Sequence, residues 1–543
     1  MCVCVLCVTP QAPGLDTKME FTSPQIIAIS GLLGFLLLLL SSWKQRSKNK
    51  ANLAPEPAGA LPIIGHLHLL NQPTTLARTM SSLADKYGSI FMVRLGMQRA
   101  LVISDAEAVK ECFTTNDKAF ASRPSTSQGK YLASDHKAFA FAPYGNYWRD
   151  TRKLAVLKLL SVQSLKTLRH HQASEVNALM SDLHFVCTNN GGAAAAGTKV
   201  KMNEWLERTT FNVITKIISG KRYFGLNNNE EARRVGKIIK EFMFIVGSLV
   251  PSDFIPFLGL IDFLTPQVKS MKRIANELDS LILNWIREHE LQRRKGTRDP
   301  SKNQDFIDVM LSEIKDDSTY GFSRELVILA TSKNLILGGS ESTSNALTWA
   351  LSNILNNKNM LKLAQEELDS KVGRDRWVDE SDLESLVYVD AISKETLRLY
   401  PPAPMSFPHE SMEDCTIGGY HIPKGTRLMV NVWKLQRDPK IWSNPEVFMP
   451  ERFLTTYSNV DVYGQQFEYQ PFGSGRRSCP GTLFAMQVMN LTLARLIQGF
   501  DLKTPSDGPV DMSEGPSISL PRATPLEVVV KPRLSPELYK MLN

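Results

Sequence analysis

The sequence predicts a mainly α fold with a small β-sheet region. Three observations predict it. Helical patterning dominates from about residue 75 onward. Strand-like stretches are few and short: Ile90–Leu95, Leu101–Ile103, Arg427–Val432 and Leu526–Val530. There is no internal repeat and no βαβ alternation, so no extended parallel sheet is expected. The 543 residues, 43% hydrophobic and 22% charged, suit a chain that buries a core rather than a disordered one. With no long linker dividing them, one large domain behind a leader is the simplest organisation.

The net charge of +8 suits a membrane surface or an acidic protein partner. No basic stripe interleaved with aromatics is present, which argues against nucleic acid. Seven cysteines without regular spacing argue against a disulfide framework and for a reducing compartment.

The leader divides into segments. Residues 1–20 read as an upstream extension; its Cys2, Cys4 and Cys7 have no partner cluster elsewhere at metal-site spacing. Residues 21–43 carry no charge and are long enough to cross a bilayer, which takes about 20 apolar residues. Lys44, Arg46, Lys48 and Lys50 follow, and basic flanks stay cytoplasmic. A cleaved signal peptide would place its charges before a shorter apolar core. Residues 44–62 therefore read as a basic stop-transfer segment and a proline-rich hinge, and residues 63–543 as the main domain.

Within that domain, Ser323 is a suitable N-cap for a long helical pattern that runs to about Asn356. Its middle, Gly338-Gly339-Ser340-Glu341-Ser342-Thr343, is costly: each glycine weakens a helix by about 1 kcal/mol relative to alanine. A hydroxyl at 342 or 343 can capture a carbonyl one turn back and bend the helix. Such a local breach suggests a site.

The strongest motif is Phe472-Gly473-Ser474-Gly475-Arg476-Arg477-Ser478-Cys479-Pro480-Gly481. A thiolate ligand needs a lowered pKa, donors aimed at sulfur, and room for a flat macrocycle. Pro480 suits the first position of a following helix, whose N-terminus favours a thiolate. Gly475 permits a tight turn, Gly481 a close backbone approach, and Arg477 a pairing with a cofactor carboxylate.

This segment resembles the haem-binding loop of the cytochrome P-450 superfamily, and the resemblance extends over nearly the whole chain. It implies a P-450-like fold behind the N-terminal transmembrane helix, heme b as cofactor, and Cys479 as the iron ligand, with Phe472, Arg477 and Gly481 around it. Glu395 and Arg398 match the family's Glu-x-x-Arg, and Arg452, in Pro450-Glu451-Arg452-Phe453, matches the arginine that completes a buried structural network. Trp148 and Arg152, at i and i+4, match a pair that reaches the haem propionates, as does His409 after Pro408. Glu341 falls on the acid of the oxygen-activation motif, and Ser342 and Thr343 on its hydroxyls; Ser342 stands where threonine is usual. An acid–alcohol pair can relay protons to bound dioxygen.

Other signals carry less. Asn490-Leu491-Thr492 fits a glycosylation triplet but lies on a predicted helix, and Cys112, Cys187 and Cys415 read as core or surface thiols. Arg149 and Lys153 are either solvated or turned towards a reductase.

The resemblance points to substrate-facing segments at Phe120–Phe141, Phe242–Leu260, Ala330–Glu341, Pro404–Phe407 and Ser517–Leu520, with aromatic walls from Phe139, Phe141, Phe242, Phe244 and Phe407. The apolar stretch at 242–260 either dips into the bilayer or is core. The ending Leu520-Pro521-Arg522-Ala523-Thr524-Pro525-Leu526-Glu527-Val528 is similar to plant members of family eighty-two, and the motif wording to its flavone hydroxylases. The expectation is a single-pass enzyme of the endoplasmic reticulum membrane with a cytosolic catalytic domain. It takes electrons from an NADPH-dependent flavoprotein reductase, binds O2, and hydroxylates a hydrophobic plant metabolite, best a flavone. Terpenoid or alkaloid oxidation, a haem-thiolate lyase or isomerase, and a non-catalytic haem-binding protein are the alternatives.

Overall fold

The computed structural model describes residues 52–70, 74–189, 197–226, 230–297, 304–315, 321–505 and 507–542. The expected extension at residues 1–20, the anchor at 21–43 and the basic run to Lys50 lie outside the described residues. Among the described residues no helix is long and apolar enough to cross a membrane. The proline stretch expected as a hinge is pinned to the body. Met92 N–H donates to the Pro55 carbonyl at 2.7 Å, and His66 Nε2 lies 2.9 Å from the Pro57 carbonyl.

The helices that shape the interior are α1 (Asn146–Lys158), α2 (Val162–Asn189), α3 (Met202–Ser219), α4 (Glu230–Val246), α5 (Pro266–Arg294), α6 (Phe306–Glu313), α7 (Arg324–Gly339), α8 (Glu341–Asn356), α9 (Val387–Leu399) and α10 (Thr482–Gly499). Among the described residues nine strands form three small sheets. β1 (Ile90–Leu95), β2 (Gln98–Ile103), β4 (His409–Glu410) and β7 (Arg427–Val430) lie in the order β1-β2-β7-β4. β3 (Thr198–Lys201), β8 (Phe500–Lys503) and β9 (Glu527–Pro532) lie as β3-β9-β8, and β5 (Cys415–Ile417) pairs with β6 (Tyr420–Ile422). The parallel β2–β7 pairing sets Val102 opposite Met429, and every residue of β7 is buried. All four expected strand regions are present, with ends shifted by a few residues.

The expected long helix is two helices. Ser323 caps α7, its hydroxyl accepting from Leu326 N–H at 3.3 Å, but the path breaks at Ser340, where φ is −94° and ψ −70°. Two serine hydroxyls cause the change locally. Ser340 Oγ donates to the Ile336 carbonyl and Ser342 Oγ to the Gly338 carbonyl, both at 2.7 Å. These bonds compete with the backbone ladder beside two glycines of poor helix propensity. Packing fits the break. Val327, Ile328 and Ile336 of α7 sit in one core with Leu278, Ile282 and Trp285. Leu347, Ala350 and Leu351 of α8 sit in another with Met489, Leu493 and Leu496 of α10.

Beneath the second core lies the expected charge network. Glu395 and Arg398 of α9 and Arg452 are all essentially inaccessible to solvent. Arg398 holds Glu395 with two hydrogen bonds of 2.8 and 2.9 Å, and Arg452 Nε donates to the same carboxylate at 3.1 Å. The remaining guanidinium protons go to backbone carbonyls of Gln436, Pro445 and Ser443. A buried carboxylate among charges is tolerated because its partners are satisfied. Asn490 lies within α10, and its amide donates to Asp390 at 2.9 Å, which suits no glycosylation.

Candidate active site

The loop carrying Cys479 is shaped by two glycines at positive φ. Gly473 and Gly475 both have φ of 67°, and a Cβ on Gly475 would lie 2.4 Å from Asp117 Oδ1, so this turn admits no side chain there. Cys479 N–H then donates to the Phe472 carbonyl at 2.8 Å, which turns the thiol inward. α10 starts only at Thr482 with Gly481 as its cap. Pro480 therefore stands before the cap rather than at the first helical position, because that hydrogen bond keeps the chain in its loop for two further residues. Gly481 adopts φ of −96°, and a Cβ there would lie 3.8 Å from Cys479 Sγ, so protein contacts alone do not require a glycine. The Cys479 side chain is open to the cavity, yet the protein packed around it desolvates the thiol and pushes it up, while the Gly481 N–H, Arg152 and the Thr482 hydroxyl pull it back towards thiolate.

Cys479 opens onto a cavity of about 390 Å³. Gly338, Gly339, Ser342 and Thr343 line one side of it, and Phe472, Arg477 and Phe484 another. Trp148, Arg152 and His409 line it as well. The structure thus brings together every expected cofactor-contact residue. Their present hydrogen bonds run mainly to backbone carbonyls. Trp148 Nε1 donates to Phe139 at 3.1 Å, and Arg152 donates to Ser478. Arg477 donates to Ala121, Phe139 and Ala142. His409 Nδ1 faces the Phe120 carbonyl at 2.8 Å, which fixes the proton on that nitrogen. Burial first, then the nearby Arg123 charge, holds His409 well below the usual imidazole range, so it is neutral.

Sequence reading missed one member. Arg123 lines the cavity, donating to the Ala140, Phe407 and Pro408 carbonyls. Nothing in Ser122-Arg123-Pro124 distinguishes it from a surface arginine; only the fold buries it. Burial and the neighbouring Arg152 charge lower Arg123 to about 9, and burial with Arg123 and Arg152 lowers Arg477 to about 8. Among the described residues none of the three forms an ion pair with a carboxylate, although such pairs are common elsewhere in the molecule. Half-buried cations that face one cavity and repel each other need anions. A flat cofactor bearing two carboxylates and an iron that takes thiolate fits this donor set, so the residues present fit haem.

Two expectations about the distal side change. Glu341 does not line the cavity; its carboxylate accepts from the Ser519 hydroxyl at 2.6 Å. The Ser517–Leu520 turn therefore packs on α8 rather than facing the cavity, with Asn345 Nδ2 donating to the Ser519 carbonyl and Trp349 Nε1 to the Leu520 carbonyl. The Ser342 hydroxyl is engaged by Gly338, whereas the buried Thr343 hydroxyl has no hydrogen-bond partner among the described residues. Of the expected aromatic walls, Phe139 and Phe407 line the cavity and Phe141 packs edge-on to Phe407 at 5.2 Å. Phe242 is buried elsewhere in α4, and Phe244 is 79% exposed.

The fold and this cradle define a haem-thiolate protein. The chain belongs to the cytochrome P450 family, whose model matches residues 55–528. Xanthotoxin 5-hydroxylase CYP82C4 of Arabidopsis thaliana is 47% identical over 93% of this chain and 97% of its own. Vinorine hydroxylase of Rauvolfia serpentina is 46% identical over 95% of this chain and 98% of its own. A solved zebra fish cytochrome P450 with progesterone superposes with a TM-score of 0.71 at 25% identity, covering 84% of this chain and 100% of that one. The protein is accordingly a plant haem monooxygenase of family eighty-two, fed with electrons from NADPH through a reductase.

Proposed function

We propose that this enzyme inserts one oxygen atom into a rigid aromatic plant metabolite, with a flavone as the first choice. The observation that supports it most is the aromatic cavity wall, where Phe139 and Phe407 join Phe113, Phe306, Phe472 and Phe484, with Asn334 as one of the few polar groups on the α7 side. Flat aromatic ligands suit such a slot through offset and edge contacts. The second reading is an alkaloid or terpenoid substrate, and the vinorine hydroxylase relative favours it.

Bound haem supplies the iron at which dioxygen is activated. The chain's own residues have four tasks in this reading. Cys479 gives the iron its thiolate. Arg123, Arg152, Arg477, Trp148 and neutral His409 hold the carboxylate side of the cofactor. Thr343, beside Ser342, offers a hydroxyl into the cavity, and Glu341 stands behind it as the acid that resupplies protons. Glu395, Arg398 and Arg452 keep the loop carrying Cys479 in register.

Residues 21–43 would anchor the enzyme in the endoplasmic reticulum membrane with its catalytic domain cytosolic. Phe257, Leu260 and Phe263, on a 3-10 helix at Pro256–Leu264 with no buried residue, support apposition of this face to a bilayer. The test incubates membranes containing the protein, a plant reductase and NADPH with flavones, alkaloids and terpenoids. A flavone product one oxygen heavier supports the first choice. Intact haem with products only from another class would replace it.

A further inference from the structure

Lys333 is unused by this reading and yet is one of the most thoroughly buried charged side chains in the molecule, 2% exposed. It stands on α7 next to Asn334, a cavity-lining residue. Two partners hold it. Its ammonium pairs with Asp279 of α5 and donates to Ser134 Oγ at 3.1 Å.

Ser134 begins an unusual segment. Ser134, Asp135 and His136 have φ of 51°, 52° and 62°, the left-handed region, in three successive residues that are not glycine. L-residues resist this conformation, and a run of three persists only where surroundings impose it. The loop is also tightly seated. His136 N–H donates to the Gly129 carbonyl at 2.7 Å, and a Cβ on Gly129 would lie 2.4 Å from the His136 ring. The same loop then supplies Phe139 and Ala140 to the cavity wall, and Ala140 N–H donates to Asn334 Oδ1 at 2.8 Å. Adjacent residues of α7 thus grip the loop at both ends, Lys333 at the strained turn and Asn334 at the wall.

We propose that Lys333 is a positioning residue for the substrate wall: anchored by Asp279, it latches the left-handed turn at Ser134 and so holds Phe139 and Ala140 where they select ligands. This rests on reading the cavity as the haem and substrate chamber. A lysine serving only general stability would leave ligand discrimination unchanged when replaced. The latch makes discrimination depend on it, because a relaxed wall lowers the fraction of molecules able to grip a bulky ligand.

The test uses full-length holoenzyme in membranes and two probes whose ring nitrogen binds haem iron. Imidazole is too small to need the wall, and 4-phenylimidazole carries an aryl group that reaches it. For Lys333→Met the dissociation constant of 4-phenylimidazole should rise about tenfold while that of imidazole stays unchanged. Ser134→Ala should act in the same direction, and the double variant should be no worse than Lys333→Met alone, since both remove one bond. Ser134→Gly should be milder than Ser134→Ala, because glycine adopts the turn without strain. If Lys333→Met fails to fold, the two Ser134 variants decide. A selectivity between the two probes that stays within twofold of wild type overturns the proposal, and so does an equal rise for both. A wild-type protein without a thiolate-type carbon monoxide spectrum would overturn the haem reading itself, and is told apart by being seen before any variant is made.

Discussion

The Ser519 hydroxyl donates to Glu341 Oε1 at 2.6 Å and at the same time receives the Asn345 amide at 3.2 Å. The carboxylate read as the proton source is therefore oriented by a turn that lies 178 residues downstream. Replacing Ser519 by alanine should leave haem incorporation intact and release Glu341 from this orientation. Product formed per NADPH consumed should fall severalfold. Coupling equal to wild type would remove Ser519 from the account.

Thr343 and Ser342 divide the hydroxyl function unequally. Ser342 already donates to the Gly338 carbonyl, whereas Thr343 has no such commitment. Thr343→Ala should uncouple NADPH use from product by about a hundredfold, at the low end of what positioned proton transfer contributes. Ser342→Ala should cost less and act by straightening the helix junction. The double variant should bind haem and form little product. Larger uncoupling from Ser342→Ala than from Thr343→Ala would reverse the assignment.

Glu395 is fully buried and answers two arginines. Glu395→Ala leaves both guanidiniums without a counter-charge and should destabilise the protein by about 3–5 kcal/mol. Urea unfolding followed by haem release measures this. A change below about 1 kcal/mol, the worth of an exposed pair, would contradict the role given to the network.

Stability should fall with mild acid. His171 is buried with neither ring nitrogen hydrogen-bonded, and burial, then His170 and Lys216, lowers it to about 4. An unfolded histidine titrates near pH 6.5 or so. Between those values the unfolded chain binds a proton that the folded chain does not, so the contribution is complete above about pH 6.5 and is lost as pH falls towards 4. Unfolding free energies at pH 7 and pH 5 should differ less in His171→Phe than in wild type. Equal differences would show that His171 does not carry this loss.

The parts of the site written in contiguous sequence were legible. The Cys479 loop announces itself by glycines, arginine and cysteine within ten residues, and the breach at 338–343 by paired glycines among hydroxyls. Arg452, 57 positions from Glu395, was placed only through family resemblance, since no local pattern links the two. Arg123 carried no local signal because its burial is a product of tertiary packing. The exposure of Phe244 was readable and overlooked. Val235, Ile238, Ile239, Phe242, Ile245 and Val246 form the buried stripe of α4, and Phe244, two residues from Phe242, points away from it. The Ser517–Leu520 turn was misread because its serines and leucine suit either a cavity wall or, as found, a clamp on α8.

Cys479 is the residue expected to give haem its thiolate in this cavity. The reduced carbon monoxide difference spectrum of wild type and of Cys479→Ala, expressed side by side, tests it most directly. The long-wavelength thiolate-type band should appear in wild type and be lost completely in the variant. A variant that kept this band would mean that another residue ligates the iron.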